Sequence, residues 1–299
     1  MKSINWNKKG LIFEPDSNLY WSKTHSMIPT PIRISEKTLR VLFSGRDDSN
    51  RSHIGYFDFD LQDQKIINKS QDPILSPGAL GCFDDNGVTP SCIKKIGDKY
   101  FLYYIGWNPG STVRMHLFGG LAISKDFKKF DRFSRAPIIE RCKTDPYLNT
   151  APWVVKNKDI YVMYYVSGYE WIHKDLPRYN IKIATSTDGM EWQRDGKIAI
   201  DFKDNKENAL ARPFVIEDEG IWKMWFGYKE QKYRIGYAES NDGFAWERKD
   251  HLSNIDVSEN GFDSDMIEYA CIEKYENKYF MFYNGNNYGF DGIGLAIGK

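Results

Sequence analysis

The chain has 299 residues and 41 Lys+Arg against 41 Asp+Glu, a formal net charge of zero. That balance argues against nucleic acid or an anionic membrane surface as the partner, since both need a surplus of Lys and Arg, and no local basic run supplies one. Aromatic content is high (9 Trp, 19 Tyr, 18 Phe) and 41% of residues are hydrophobic, which argues against disorder.

The N-terminal MKSINWNKKG lacks the apolar core of a secretory signal. The longest apolar stretches, such as Tyr100–Trp107, are far too short to span a bilayer, so a cytoplasmic location is expected. Cys82, Cys92, Cys142 and Cys271 form no CxxC pair and no zinc spacing with His, so no metal or cofactor is assigned; Cys92 and Cys271 sit inside apolar strands and are expected to be reduced, buried small hydrophobes.

An apolar-aromatic strand ending at or near Gly recurs down the chain. It reads VLFSG from Val41, LYYIG from Leu102, MYYVSG from Met163, MWFG from Met224 and MFYNG from Met281, with starts 61, 61, 61 and 57 residues apart. A strand built around Pro precedes each: TPIRI, TPSCI, APWVV and RPFVI, with YACI carrying Ala270 in the Pro place. Short polar turns such as IGDKY and KNKDIY join the two. A third strand follows each aromatic one (HIGYFDFD, GGLAISKD, NIKIATSTDG, RIGYAESNDG, GIGLAIGK), then a fourth that carries Phe130, Trp192 or Trp246. Runs of β-branched and aromatic residues between Gly, Asp and Asn are hairpin signals, and no sustained 3.6-residue period marks a helix.

Four antiparallel strands repeated five times predict an all-β fold, a five-bladed β-propeller with four-stranded blades, as a single domain over residues 1–299. A β-sandwich is the weaker alternative, because sandwiches do not repeat at a fixed sixty-residue spacing. The fifth unit lacks a fourth strand, and Ile4–Phe13 resembles the fourth strand Met190–Ile200. The N-terminal strand is therefore expected to close the last blade by pairing onto 292–298, which protects an edge. Trp6, Trp192 and Trp246 share one repeat position and are expected to pack between blades.

Five loops entering the first strands and five linking the second and third strands open at one end of such a scaffold, while the other end has short turns. That long-loop end is where a rigid scaffold carries a site. The loops collect Asp47, Asp48, Asp84, Asp85, Asp145, Glu207, Asp263, Asp265 and Glu268, the cations Arg46, Arg51 and Arg212, and His25, His116 and His173. Any one loop carboxylate is more often a solvated surface group than a catalyst. Glu268 and Arg212 differ, because each sits at the mouth of an apolar inner strand, where a charge is paired or functional. Carboxylates around a concave channel suit acid–base chemistry, and aromatic faces with polar rims suit sugar rings.

The Pro strand, the KYFLYY-type strand and ATSTDGMEW (Ala184–Trp192) resemble those of the five-bladed propeller glycoside hydrolases: the arabinanase/β-xylosidase, invertase/levansucrase and β-mannoside phosphorylase families. Gly45–Tyr56 (GRDDSNRSHIGY) is similar to the Arg loop of the phosphorylases. The resemblance covers nearly the whole chain and implies a carbohydrate-active enzyme. It also implies Asp before Pro in the first two blades and Glu two before Pro in the third; those places hold Thr30, Thr89 and Thr150. Only Glu268, two before Ala270, stands at a Glu-like place, in the fifth blade.

The leading expectation is a glycoside hydrolase that uses a pair of channel carboxylates, with Glu268, Asp85 and Glu207 as catalytic candidates. Arg212, Arg46, Asp47, His25, Trp107, His116, Trp171, Asp265 and Tyr269 are expected to bind substrate. The alternatives are an enzyme of phosphorylated or nucleotide-linked sugars, with Arg46, Arg51, His53 and Arg212 on the phosphate, or a catalytically inactive sugar-binding propeller. The expected partner is a small carbohydrate, with no nucleic acid and no membrane, on a monomer or small homo-oligomer.

Overall fold

The computed structural model describes residues 4–299, and these are almost entirely strand and loop. The chain opens with β1 (Trp6–Phe13) and proceeds to β2 (Thr24–Arg33), β3 (Thr38–Arg46), β4 (Ser52–Asp60) and β5 (Lys65–Lys69); β2 to β5 pair in that order as one antiparallel unit. A second unit is β6 (Val88–Ile96), β7 (Lys99–Pro109), β8 (Met115–Ser124) and β9 (Asp131–Arg132). The third is β10 (Asn149–Asn157), β11 (Ile160–His173), β12 (Leu176–Ser186) and β13 (Ile198–Ile200). The fourth is β14 (Ala209–Asp218), β15 (Ile221–Lys229), β16 (Tyr233–Ser240) and β17 (Glu247–Arg248). The fifth is β18 (Glu268–Tyr275), β19 (Lys278–Asn284) and β20 (Ile293–Gly298), and its outer strand is β1, antiparallel to β20 from Trp6–Gly298 to Phe13–Ile293. The N-terminal strand thus lies where its likeness to a fourth strand predicts.

Successive units touch through side chains and isolated bridges, last to first. Thr89 Oγ1 meets Ser44 Oγ at 3.3 Å, the Val154 N–H donates to Cys92 Sγ, and Trp153 Nε1 donates to the Val215 carbonyl at 2.8 Å. Ile267 N–H donates to the Tyr233 carbonyl, and Asn284 Oδ1 accepts from the Ile28 N–H at 2.8 Å, which brings the fifth unit back to the first. Tyr103 donates to the Gly189 carbonyl and stands edge-on to Trp192; Tyr164 does the same to Gly243 and Trp246. Trp6 Nε1 donates to the Ser253 carbonyl. The three tryptophans of one repeat position therefore all pack between units.

One ion pair recurs in every unit. An acidic residue in the loop before the innermost strand is held by a cation on or beside the outermost strand: Asp16 by Lys69, Asp84 by Arg132, Asp145 by Arg194, Glu207 by Arg248 and Asp263 by Lys8. In three units a Tyr of the second strand donates to the same carboxylate (Tyr104, Tyr165 and Tyr283). Four of these carboxylates, Asp84, Asp145, Glu207 and Asp263, are buried, and charges so buried persist only when paired and hydrogen-bonded; here they clamp the long loop across the top of its own unit, while the first unit's Asp16–Lys69 pair is more exposed.

The innermost strands β2, β6, β10, β14 and β18 all carry a bulge. Ile28, Ala151, Arg212 and Tyr269 sit there at positive φ, and in three cases the next residue is Pro, which has no N–H to leave unpaired. In the first unit the bulge falls at Ile28–Pro29, and Thr30 instead pairs regularly with Leu42. The expected alignment on Thr30–Pro31 is corrected by two residues; the doubled Pro of IPTP made either choice fit the sequence. Register then makes Met27, Thr89, Thr150, Ala211 and Glu268 equivalent.

Arg212 fills the space between the innermost strands. It is 1% exposed. Its guanidinium donates to Thr30 Oγ1 at 2.7 Å and to the carbonyls of Pro29, Ser91 and Ala270, and lies 5.5 Å from the Trp153 ring. With its own strand counted, one side chain thereby joins all five units.

Candidate active site

Glu268 is the single carboxylate among the five equivalent bulge-side positions; the other four hold Met, Thr, Thr and Ala. Its residue is 0% exposed, and neither carboxylate oxygen has a hydrogen-bond partner. Burial pushes its carboxyl well above the ordinary range, opposed by the neighbouring Tyr269 hydroxyl and the Lys229 ammonium.

Tyrosines surround this carboxyl. Tyr179 and Tyr233 share a hydroxyl–hydroxyl hydrogen bond, and the Tyr233 ring is 6.5 Å from Tyr269 and 6.1 Å, edge-on, from Tyr288. Burial raises the phenols of Tyr179, Tyr233 and Tyr269, and Glu268 adds to all three. Tyr288 is 40% exposed and meets the cluster at the Tyr233 ring from a turn between β19 and β20, where Asn287 and Tyr288 both take positive φ. Met27, Ile28, Ile105, Leu148, Ala151 and Val166 form an apolar floor against which Trp171, Tyr179 and Tyr269 pack.

Three cations, Arg46, Arg114 and Lys229, border the cluster without a carboxylate ion-pair partner among the described residues. Arg46 donates to Asn50 Oδ1 at 2.9 Å, and its buried Nε has no partner. Burial lowers its pKa, Tyr269 opposes that, and the nearby Arg114 adds to the lowering. His25 stands edge-on to Phe290, and burial followed by Arg46 pulls its imidazole down to about 4, so it is neutral near pH 7.

The structure therefore gathers five of the expected site residues: Glu268, Tyr269, Arg46, His25 and Trp171. It puts the others elsewhere. Glu207 is held by Arg248 and accepts from the Lys203 N–H, as the fourth unit's clamp. Asp85 accepts from the Gly81 N–H within its own loop, and no contact joins it to Glu268. Arg212 is engaged between the strands and makes no ion pair with Glu268. Asp47 binds His53 and Arg51, Asp265 binds Lys232 at the rim, and His116 accepts from Arg141. Trp107 donates to Ser52 Oγ between the first and second units.

Tyr179, Tyr233, Tyr288, Arg114 and Lys229 escaped the sequence reading. Two of them carried a signal: Tyr179 and Tyr233 both stand two residues before an Ile at the start of a third strand, a shared repeat position. Among the described residues no three His, Cys, Asp or Glu side chains group as a metal site, and no helix is long and apolar enough to cross a membrane.

The fold is that of the propeller glycoside hydrolases. A solved structure described as "Glycoside hydrolase" superposes with a TM-score of 0.75 at 19% identity over 99% of this chain and 92% of that one. A glycosyl hydrolase from Bacteroides ovatus gives 0.72 at 14% identity over 99% and 94%, and a "Beta-1,2-Mannobiose phosphorylase from Listeria innocua" gives 0.66 at 15% over 92% and 89%. No known family profile matches the chain. It belongs to one family with the Mycobacterium tuberculosis proteins described as "Uncharacterized protein Rv1502" (strain H37Rv) and "Uncharacterized protein MT1551" (strain CDC 1551), each 40% identical over 295 residues and 98% of both chains.

Proposed function

We propose that the five units close as a five-bladed propeller and that the protein is a carbohydrate-active enzyme that cleaves a glycosidic bond, with Glu268 as the proton donor. The observation that carries this reading is the lone, unpartnered, fully buried carboxyl at the end of the innermost strands beneath a tyrosine cluster. A carboxyl whose burial favours the protonated form is suited to protonate a leaving glycosidic oxygen. Tyr179, Tyr233 and Tyr269 offer hydroxyls to a sugar, and Trp171 an aromatic face. Because Glu268 has no exposed surface, substrate reaches it only once the Tyr288 turn swings aside.

The expected second carboxylate is not assembled beside it, since Asp85 and Glu207 are engaged in their own loops. The attacking group is then water or an inorganic anion. Arg46 and Arg114, without carboxylate partners, favour phosphate as a second reading, in which the bond is split by phosphorolysis. Cytoplasmic location as a monomer or small homo-oligomer is part of the same reading.

The test is turnover of a panel of disaccharides with and without phosphate, in the wild type and Glu268→Gln. Loss of an acid of this kind costs on the order of 10²–10⁴ in rate. Turnover only with phosphate selects phosphorolysis. Sugar binding without turnover in either condition leaves a binding protein, and unchanged turnover in Glu268→Gln removes Glu268 from the chemistry.

A further inference from the structure

The Arg loop read from Gly45–Tyr56 builds a second constellation, apart from the Glu268 cluster that Arg46 borders. His53, on β4, is 7% exposed, and both its ring nitrogens are engaged. Nε2 lies 3.1 Å from Asp47 Oδ2, and Nδ1 lies 3.2 Å from the Ser76 hydroxyl. Ser76 itself is exposed.

The donors around Asp47 settle its state. Its Oδ1 accepts the Ser49 and Arg51 N–H groups, and its Oδ2 accepts two N–H groups of the Arg51 guanidinium. Burial works against ionisation, but these donors and His53 hold the carboxyl below its ordinary range. A carboxylate only accepts, so the imidazole proton sits on Nε2 and faces Asp47. Nδ1 then has its lone pair free, and the Ser76 O–H must donate to it. The serine is also held in place, because Arg132 donates to the Ser76 carbonyl while its Nε is bound to the buried Asp84.

We propose that Ser76 is a nucleophile, with His53 as its base and Asp47 as the group that orients the base, and that this second site acts on small carboxylic esters such as an O-acyl substituent of a sugar. The Ser76 Oγ attacks the ester carbonyl carbon and its proton passes to His53 Nδ1. The carbon–alkoxy bond breaks, and the departing alcohol oxygen takes that proton. Water, deprotonated by the same nitrogen, then splits the Ser76 acyl ester, releasing the acid and the free serine. The arrangement uses none of the residues assigned to glycosidic cleavage, so it stands or falls separately from Glu268.

The experiment is labelling of the full-length protein with a fluorophosphonate, read by intact mass and peptide mapping, alongside hydrolysis of p-nitrophenyl acetate. The expected result is one adduct, on Ser76, absent in Ser76→Ala, with labelling at least ~100-fold slower in His53→Gln. Asp47→Asn keeps the shape while permitting the wrong tautomer, and should slow labelling and ester hydrolysis together. It serves as the second variant should His53→Gln fail to fold, as judged by thermal melting. Absence of a Ser76 adduct on folded wild type, or equal labelling rates in wild type and both variants, overturns the proposal and leaves Ser76 as a cap on a structural histidine.

Discussion

Lys8 Nζ lies 2.7 Å from the Asp263 carboxylate, across 255 residues of chain. Tyr283 donates to the same oxygen at 2.9 Å, so the outer strand contributed by the N-terminus is held to the fifth unit by a charge as well as by its pairing with β20. Lys8→Ala leaves a 2% exposed carboxylate with the phenol alone. A loss of about 2–4 kcal/mol is expected, read as a lower urea midpoint at unchanged slope. A loss below the error of the measurement would mean that the charge adds nothing to the backbone ladder and the Trp6 packing that hold β1.

Glu207 and Glu268 separate structure from chemistry. Glu207→Gln weakens the clamp with Arg248 and should cost ~2–4 kcal/mol of stability, while turnover per folded molecule stays within about twofold. Glu268→Gln should do the reverse. Comparable loss of turnover in both variants at equal folded fraction would return Glu207 to the mechanism.

Glu268 also makes a pH-dependent prediction. Its folded pKa lies above its unfolded value of 4.5, so the folded state holds the proton more tightly. That contribution to stability is fully present below pH 4.5 and fades as pH rises through the folded value. Glu268→Gln should therefore melt higher than wild type at pH 8, by about 1–3 kcal/mol in stability, with the gap closing toward pH 4. Melting curves of both proteins across that range decide it.

Asp218 has the opposite sign. Burial resists its ionisation, but Lys223 at 2.6 Å, Lys274 at 2.8 Å and Tyr279 at 2.7 Å outweigh it and bring the carboxyl from 3.8 down to about 2. Its contribution is present above pH 3.8 and is lost as pH falls toward 2. Asp218→Asn should flatten this part of the acid limb by about 1–2 kcal/mol, after allowance for solvent screening. An acid-unfolding profile with unchanged slope between pH 4 and 2 would exclude the effect.

Arg212→Ala removes the one side chain that bonds to three other inner strands and packs on a fourth. It opens a cavity and strips Thr30 and three carbonyls of a donor, for an expected loss of ~3–5 kcal/mol. Arg212→Lys retains a charge but not the planar fork, and should recover less than half of that. Denaturant midpoints of the two variants give the comparison.

Length, repeat spacing and the alternation of apolar and polar residues determined the all-β repeat and the place of Ile4–Phe13, because strand identity and turn position are local properties that each sixty-residue unit states again. The short turns, the Ser-x-Asp-Gly corners and the Trp positions follow from the same local patterns. Which carboxylates are free was not local. Glu207, Asp84, Asp145 and Asp263 look like loop acids until the outer strand, some 40–50 residues later or at the other end of the chain, brings its cation. Likewise Arg212 reads as a site cation and becomes the plug only when five strands converge on it, and the doubled Pro of the first unit is resolved only by register. Tertiary structure decided these because a buried charge takes its role from whatever partner desolvation forces upon it, and in this fold those partners come from distant segments. Glu268 is the group to which the fold supplied no such partner.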